Sequence, residues 1–223
     1  MPSLKDVLEE ICKELIEKEK VRENAQKEMR KATSLSKQAI LLIHQKRLKE
    51  AKKLLDESRE IILRLNDASA VHPDIIYSGL FDAALQEYAE ANIFLKLVEE
   101  AKFVTPTEIN VPPVDYVLGL ADVIGEYRRL ALDALREGDV KIGEKCLQMM
   151  DEIYTELTAM DEAYMLVPGL RRKCDTARKI IEVTRGDVTQ EIRRSILERR
   201  LKSLERLFKG KHGNGQCESD IFG

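Results

Sequence analysis

The chain is expected to be all-α, on three observations. No run alternates apolar and polar residues for long enough to make a strand. Apolar residues recur instead at steps of three and four through most of the 223 residues. Proline and glycine gather at a few points, so the helices they separate are joined by short connections. A hydrophobic fraction of 43% is enough for one packed core, and 35% charged residues suit long solvated helix faces. Six to eight helices are expected, in a single domain over residues 1–208.

Leu4, Val7, Leu8, Ile11 and Leu15 begin a helical phase that resumes at Ala32, Leu35, Ala39, Leu42 and Ile43. This predicts one long helix from Leu4 to His44, with Ser3 as N-cap and Asp6 completing a capping box. Leu48, Ala51, Leu54, Leu55, Ile61, Ile62 and Leu65 predict a second helix over Lys46–Leu65, interrupted by the polar residues 66–69 and then by His72-Pro73-Asp74. A third is expected from Ile75 to Lys102. Residues 103–113 hold Pro106, Pro112 and Pro113, and each proline disfavours helix in its predecessor, so this stretch reads as a loop. A fourth helix follows over Val114–Arg136, stopped by Glu137-Gly138-Asp139. Helices over Val140–Met160 and Pro168–Thr184 come next. Arg185-Gly186-Asp187 predicts a sharp break, with Asp187 and Gln190 capping a last charged helix that ends at Phe208. The polar, glycine-rich tail 209–223 is expected to be disordered.

A net charge of −3 excludes a uniformly basic nucleic-acid binder but leaves room for a local basic face. Cys12, Cys146, Cys174 and Cys217 show no zinc spacing and read as free thiols of an intracellular protein. No apolar run approaches the ~18 residues of a membrane span and none at the N-terminus resembles a signal peptide, so a soluble, cytoplasmic protein is expected.

Two carboxylate pairs carry the chemistry. Glu87 and Glu90 lie three apart on the third helix; Asp122 and Glu126 lie four apart on the fourth. Each pair shares a helix face, and four such oxygen donors suit a hard divalent cation. Taken alone the spacing is weak, because Asp and Glu make up 40 of 223 residues and a solvated helix face is the ordinary explanation. Glu87 and Glu90, however, interrupt the stripe Ala83, Phe94, Leu97, which is otherwise apolar. Asp122 and Glu126 lie on a stripe that is polar throughout and could face solvent, with Tyr116, Leu120, Val123, Leu130 and Ala134 as the core face. Gly119 and Gly125 are costly inside a helix and suggest close approach of another helix or of a ligand. None of the three histidines completes a Glu-x-x-His di-iron motif, and no protease pairing or phosphate loop is present. A magnesium-dependent nucleotide pyrophosphatase stays open. On the first helix Lys27, Arg30, Lys31, Ser34 and Lys37 fall on one face that could follow a phosphate backbone, or could be an ordinary salt-bridged surface. A second basic cluster, from Arg193 to Arg206, reads as a solvated helix.

Five stretches, in order, resemble the translin family, and within it the translin-associated factor X branch. They are Ser36-Lys37-Gln38-Ala39-Ile40-Leu41-Leu42-Ile43-His44, Leu85-Gln86-Glu87-Tyr88-Ala89-Glu90-Ala91, the run from Pro113 through Asp115-Tyr116 and Gly119 to Asp122 and Gly125-Glu126, and the turns Gly138-Asp139 and Arg185-Gly186. The resemblance spans about Arg22 to Gly186. It implies a bundle of about seven helices that assembles into a closed shell, a homo-oligomer of about eight chains, with or without a translin-like subunit. It implies binding of single-stranded RNA and single-stranded DNA, and Mg2+-dependent endoribonuclease activity, with Mn2+ as a substitute metal. The family's catalytic and metal-binding acids match Glu87, Glu90, Asp122 and Glu126, and its nucleic-acid contacts fall near Arg30 and Lys37, with Lys27 and Arg22 beside them. The alternative within the same family is a binding protein for single strands that has no catalysis.

Overall fold

In the computed structural model, residues 3–69, 73–76 and 79–212 are described. Among them the chain is helical with no strand. There are six long helices, α1 (Leu4–His44), α2 (Leu48–Ser69), α4 (Gly79–Glu100), α6 (Pro113–Arg136), α7 (Val140–Thr158) and α9 (Leu170–His212). Between them lie short turns of helix, α3 (Pro73–Ile76), α5 (Pro106–Ile109) and α8 (Glu162–Leu166). Among the described residues no helix is long and apolar enough to cross a membrane. Cys12, Cys146 and Cys174 are free thiols, while Cys217 and the rest of the tail from 213 lie outside the described residues.

α6 is the centre of the bundle. It packs on α4 along one side and on α7 and α9 along the other, while α1 and α2 close over α4. Ala84, Ala89, Ala91, Ile93 and Phe94 of α4 are fully buried, as are Met29, Ala32, Ala39, Ala51 and Ala131 around them. The small residues let the axes approach, and the larger ones fill the space that remains. One polar seam lies between α1 and α2. The hydroxyls of Ser36 and Ser58, both fully buried, donate to the Ala32 carbonyl at 3.0 and 3.2 Å, so neither is left unsatisfied.

Most boundaries follow the sequence. The Ser3–Asp6 capping box forms, and α1 runs unbroken to His44. The departures have local causes. α2 does not stop at Leu65: it continues through 66–69 to Ser69. The expected third helix is divided between α3 and α4, with 77–78 outside the described residues, and ends where Ala101 turns to a φ of 54°. The 103–113 loop contains one helical turn, α5, because Thr105 and Glu108 make a reciprocal capping box. On α6, Leu118, Ala121, Val123, Ile124 and Tyr127 are buried, whereas Tyr116, Leu120 and Leu130 are only half-buried, so the core face is rotated from the expected one.

The largest correction is at Arg185-Gly186-Asp187. No break exists, and α9 runs on to His212, through residues 209–212 that were assigned to the disordered tail. Tertiary contacts hold this stretch helical against the propensity of glycine. The Arg185 guanidinium donates to both carboxylate oxygens of Asp151 on α7, at 2.7 and 2.9 Å. Arg128 of α6 donates to Thr184 at 2.6 Å and pairs with Asp187 at 3.6 Å, so Asp187 is a bridging residue and not a cap. A Cβ at Gly186 would meet nothing within 4 Å. Gly186→Ala is therefore expected to stabilise the protein by ~0.5–1 kcal/mol in thermal or urea denaturation; a destabilised variant would mean that the backbone there is not helical.

Candidate functional site

The four carboxylates come together at the junction of α1, α4 and α6. α4 delivers Glu87 and Glu90, α6 delivers Asp122 and Glu126, and all four line one cleft of about 520 Å3 with Lys37, Ile40 and Leu41 of α1 and Arg129 of α6. Gly119 sets the spacing of the two carboxylate helices. A Cβ on it would sit 2.7 Å from the Gln86 carbonyl oxygen and 2.9 Å from both the Ala89 Cβ and the Glu90 amide nitrogen. The helices touch there through backbone, one turn from Asp122, and the approach brings the pairs face to face. Beside it, Gln86 donates to the buried Asp115 at 3.2 Å. Gly125 is different: nothing lies within 4 Å of its Cβ position, and it opens a second, smaller cleft of about 270 Å3 lined by Asp122, Arg172, Lys173 and Thr176.

Three of the carboxylates are held by bases from other helices. Lys37 of α1 pairs with Glu87 at 3.2 Å. His44, at the end of α1, donates its Nε2–H to Glu126, with its side chain only 4% exposed and its ring packed on Phe94 at a centroid distance of 5.0 Å. Phe94 in turn meets Tyr127 edge-on at 5.9 Å, fixing the wall behind the pair. Lys173 of α9 donates to Asp122. Glu90 differs from the other three. It is 7% exposed and has no hydrogen-bond or ion-pair partner among the described residues. Burial, and then the charges of Asp122, Glu87 and Glu126, push its carboxyl up to about 9, so at neutral pH it holds a proton.

A divalent cation fits this donor set. It would meet four carboxylates in one cleft, one of them buried and without a partner among the described residues. Among the described residues no three His, Cys, Asp or Glu side chains stand ready as a coordination shell. Lys37, His44 and Lys173 pair with three of the four carboxylates instead, so an ion could be held there only if it replaced those partners.

The basic face of α1 is divided. Lys37 reaches the cleft. Arg30 and Lys27 are exposed on the same helix, about 10 and 15 Å further along its axis, and neither has an ion-pair partner among the described residues. Arg22 pairs with Glu19 one turn away, at 3.6 Å. Lys31, placed on that face by its spacing, turns to α2 and pairs with Glu57 at 2.8 Å. His44, Lys173 and Arg129 were not picked out from the sequence. For His44 a signal existed, since it falls seven residues after Lys37 and so on the same face of α1. Lys173 lies in the basic triplet Arg171-Arg172-Lys173 at the start of α9, but nothing local ties that triplet to Asp122.

The translin family model matches residues 20–184, about three quarters of the chain. The protein belongs to the translin family. An uncharacterised protein of Methanocaldococcus jannaschii is 33% identical to this translin-family chain over 202 residues, 90% of the chain and 89% of that protein. Translin-associated protein X of Mus musculus is 24% identical over 165 residues, 56% of the chain and 57% of the mouse protein. Among solved structures, AfC3PO in complex with duplex RNA aligns with a TM-score of 0.70 at 35% identity, covering 82% of this chain and 95% of that one. Apo-NeC3PO aligns with a TM-score of 0.73 at 23% identity, covering 86% and 98%, and supports the translin fold alone. The cleft acids and the bases that hold them, Lys37 to Lys173, all lie inside the matched span.

Proposed function

We propose that this translin-family protein is a divalent-cation-dependent endoribonuclease that draws single-stranded RNA along α1 and cuts it in the carboxylate cleft. The observation that carries the reading is Glu90, a buried carboxyl with no partner among the described residues, facing three more carboxylates from two helices. Glu87, Glu90, Asp122 and Glu126 would hold Mg2+ or Mn2+, which supplies a polarised water and neutralises charge on the phosphate. The chain's own residues do the rest. Lys37, Arg30, Lys27 and Arg22 bind successive phosphates with little regard for sequence, and single-stranded DNA can follow the same track. Arg129 at the cleft adds a cation beside the reacting phosphate. His44 orients Glu126, and Lys173 holds Asp122 until the cleft is loaded. The related structure that contains RNA supports RNA as the partner. A closed homo-oligomer of about eight chains, alone or with a translin-like subunit, belongs to the same reading, as does a cytoplasmic setting.

One observation favours a second reading, a nucleic-acid-binding protein in which the acids are structural: three of the four are already satisfied by bases. One assay separates the two. Single-stranded and duplex RNA are incubated with the parent chain and with Glu126→Ala, in Mg2+ and in EDTA. The nuclease reading predicts cleavage of the single strand by the parent in Mg2+, none in EDTA, and a fall of about 100-fold or more in the variant. Tight binding without turnover at any cation concentration establishes the second reading. Cleavage undiminished in Glu126→Ala removes the site.

A further inference from the structure

We propose that the two ends of the chain pair between copies, residues 4–19 of α1 in one protomer packing antiparallel along residues 193–208 of α9 in another. Both segments leave the bundle. Every residue from 3 to 20 is exposed, and so is every residue from 196 to 208. Each nevertheless carries an apolar stripe with the 4-3 spacing of a two-helix seam. On α1 the stripe is Leu8, Ile11 and Leu15, at 51%, 45% and 59% exposure, continuing to Leu4. On α9 it is Leu197, Leu201 and Leu204, at 58%, 51% and 50%. Within the chain α1 packs on α2 and α4 and α9 on α6 and α7, and among the described residues nothing buries either stripe.

Charge selects the occupant. Residues 4–19 hold six acidic and three basic side chains, whereas residues 193–208 hold six basic and two acidic ones. Two α1 ends would set acid against acid, and two α9 ends base against base. An anionic membrane would repel the α1 end. One end of each kind is attractive. Direction follows from the flanking positions. Antiparallel pairing seats Leu8 on Leu204, Ile11 on Leu201 and Leu15 on Leu197, and brings Glu14 beside Arg200 and Lys5 beside Glu205. Parallel pairing in the same layers sets Lys5 beside Arg193, like against like. In this chain Glu14 and Lys5 make only exposed pairs within their own helix, with Lys18 and Glu9, which exchange readily. All of residues 4–19 and of 193–208 fall outside the span 20–184 that matches the translin family model, so this contact adds to whatever the shared fold supplies. Each copy offers one α1 end and one α9 end, which is what a ring or a reciprocal dimer requires.

The test uses the full chain and does not depend on nuclease activity. Light-scattering mass is measured for the parent, Glu14→Arg, Arg200→Glu and the double variant, with circular dichroism confirming the helical fold. In parallel, a Cys12→Ser, Cys217→Ser chain carrying Ile11→Cys and Leu201→Cys is oxidised and run on a non-reducing gel. The expected result is lower mass at equal concentration in each single variant, recovery of mass in the double, and a covalent ladder of chains on the gel. Unchanged mass in the single variants together with no ladder overturns the pairing. A cross-link confined to single chains also overturns it, by placing both ends in one protomer. Loss of mass that the double variant does not restore overturns the assigned register.

Discussion

Glu90→Gln is expected to raise the stability of the metal-free protein at pH 8 and to leave it unchanged near pH 4. Burial and then the charges of Asp122, Glu87 and Glu126 hold the Glu90 carboxyl up to about 9, against an ordinary value near 4.5. Between those values the folded chain keeps a proton that the unfolded chain releases. The contribution of this group to stability is therefore fully present below about pH 4.5. It declines by about 1.4 kcal/mol per pH unit as pH rises, until the folded group itself titrates near 9. Glutamine has the same shape and no proton to lose. At pH 8 the variant should be more stable on the order of 5 kcal/mol, which for a chain of this size is about 10–20 °C in melting temperature. The parent should regain the difference when Mn2+ is added and the variant should not, because the variant has lost one ion ligand. Melting curves across pH 4–9 check this; parent and variant that track each other over the whole range would mean that Glu90 is neither buried nor crowded by charge.

Gly119→Ala should be the most damaging small substitution in the molecule. Its methyl would sit 2.7 Å from a carbonyl oxygen and 2.9 Å from the amide nitrogen of Glu90, and backbone atoms inside a packed pair of helices cannot swing aside. α4 and α6 must part, at a cost of about 1–3 kcal/mol. The separation acts on the two helices that carry the acids, so cleavage should fall further than the loss of folded protein explains. Gly125→Ala is the control. It lies in the same helix six residues on, has open space at its Cβ, and should be neutral or slightly stabilising. Equal effects at the two glycines, measured by urea denaturation, would contradict the proximity of α4 and α6 at Gly119.

The pair of glycines shows where sequence reasoning reaches and where it stops. Both are equally anomalous in a helical pattern, and only the structure separates the one that meets backbone from the one that opens a cleft. Helical period was enough to draw α1 from Leu4 to His44 and to mark Glu87 and Glu90 as acids in an apolar stripe, because those signals are local. Asp122 and Glu126 stayed ambiguous. A polar stripe lining a cleft and a polar stripe facing water have the same sequence, and what distinguishes them here is Lys173, His44 and α4, all distant in the chain. Convergence of the two pairs came from family resemblance, not from spacing. Gly186 misled for the opposite reason. Its local signal was clear, and Arg185–Asp151 and Arg128–Asp187 override it from helices that local reasoning does not see.

The central claim is that acids from α4 and α6 act as one site for a divalent cation. Calorimetric titration of Mn2+ into the parent chain, Glu87→Gln and Asp122→Asn tests it most directly, since the two variants neutralise one acid on each helix. A single site predicts binding by the parent and an affinity lower by about tenfold or more in both variants. No binding by the parent, or binding that both variants leave unchanged, would contradict it.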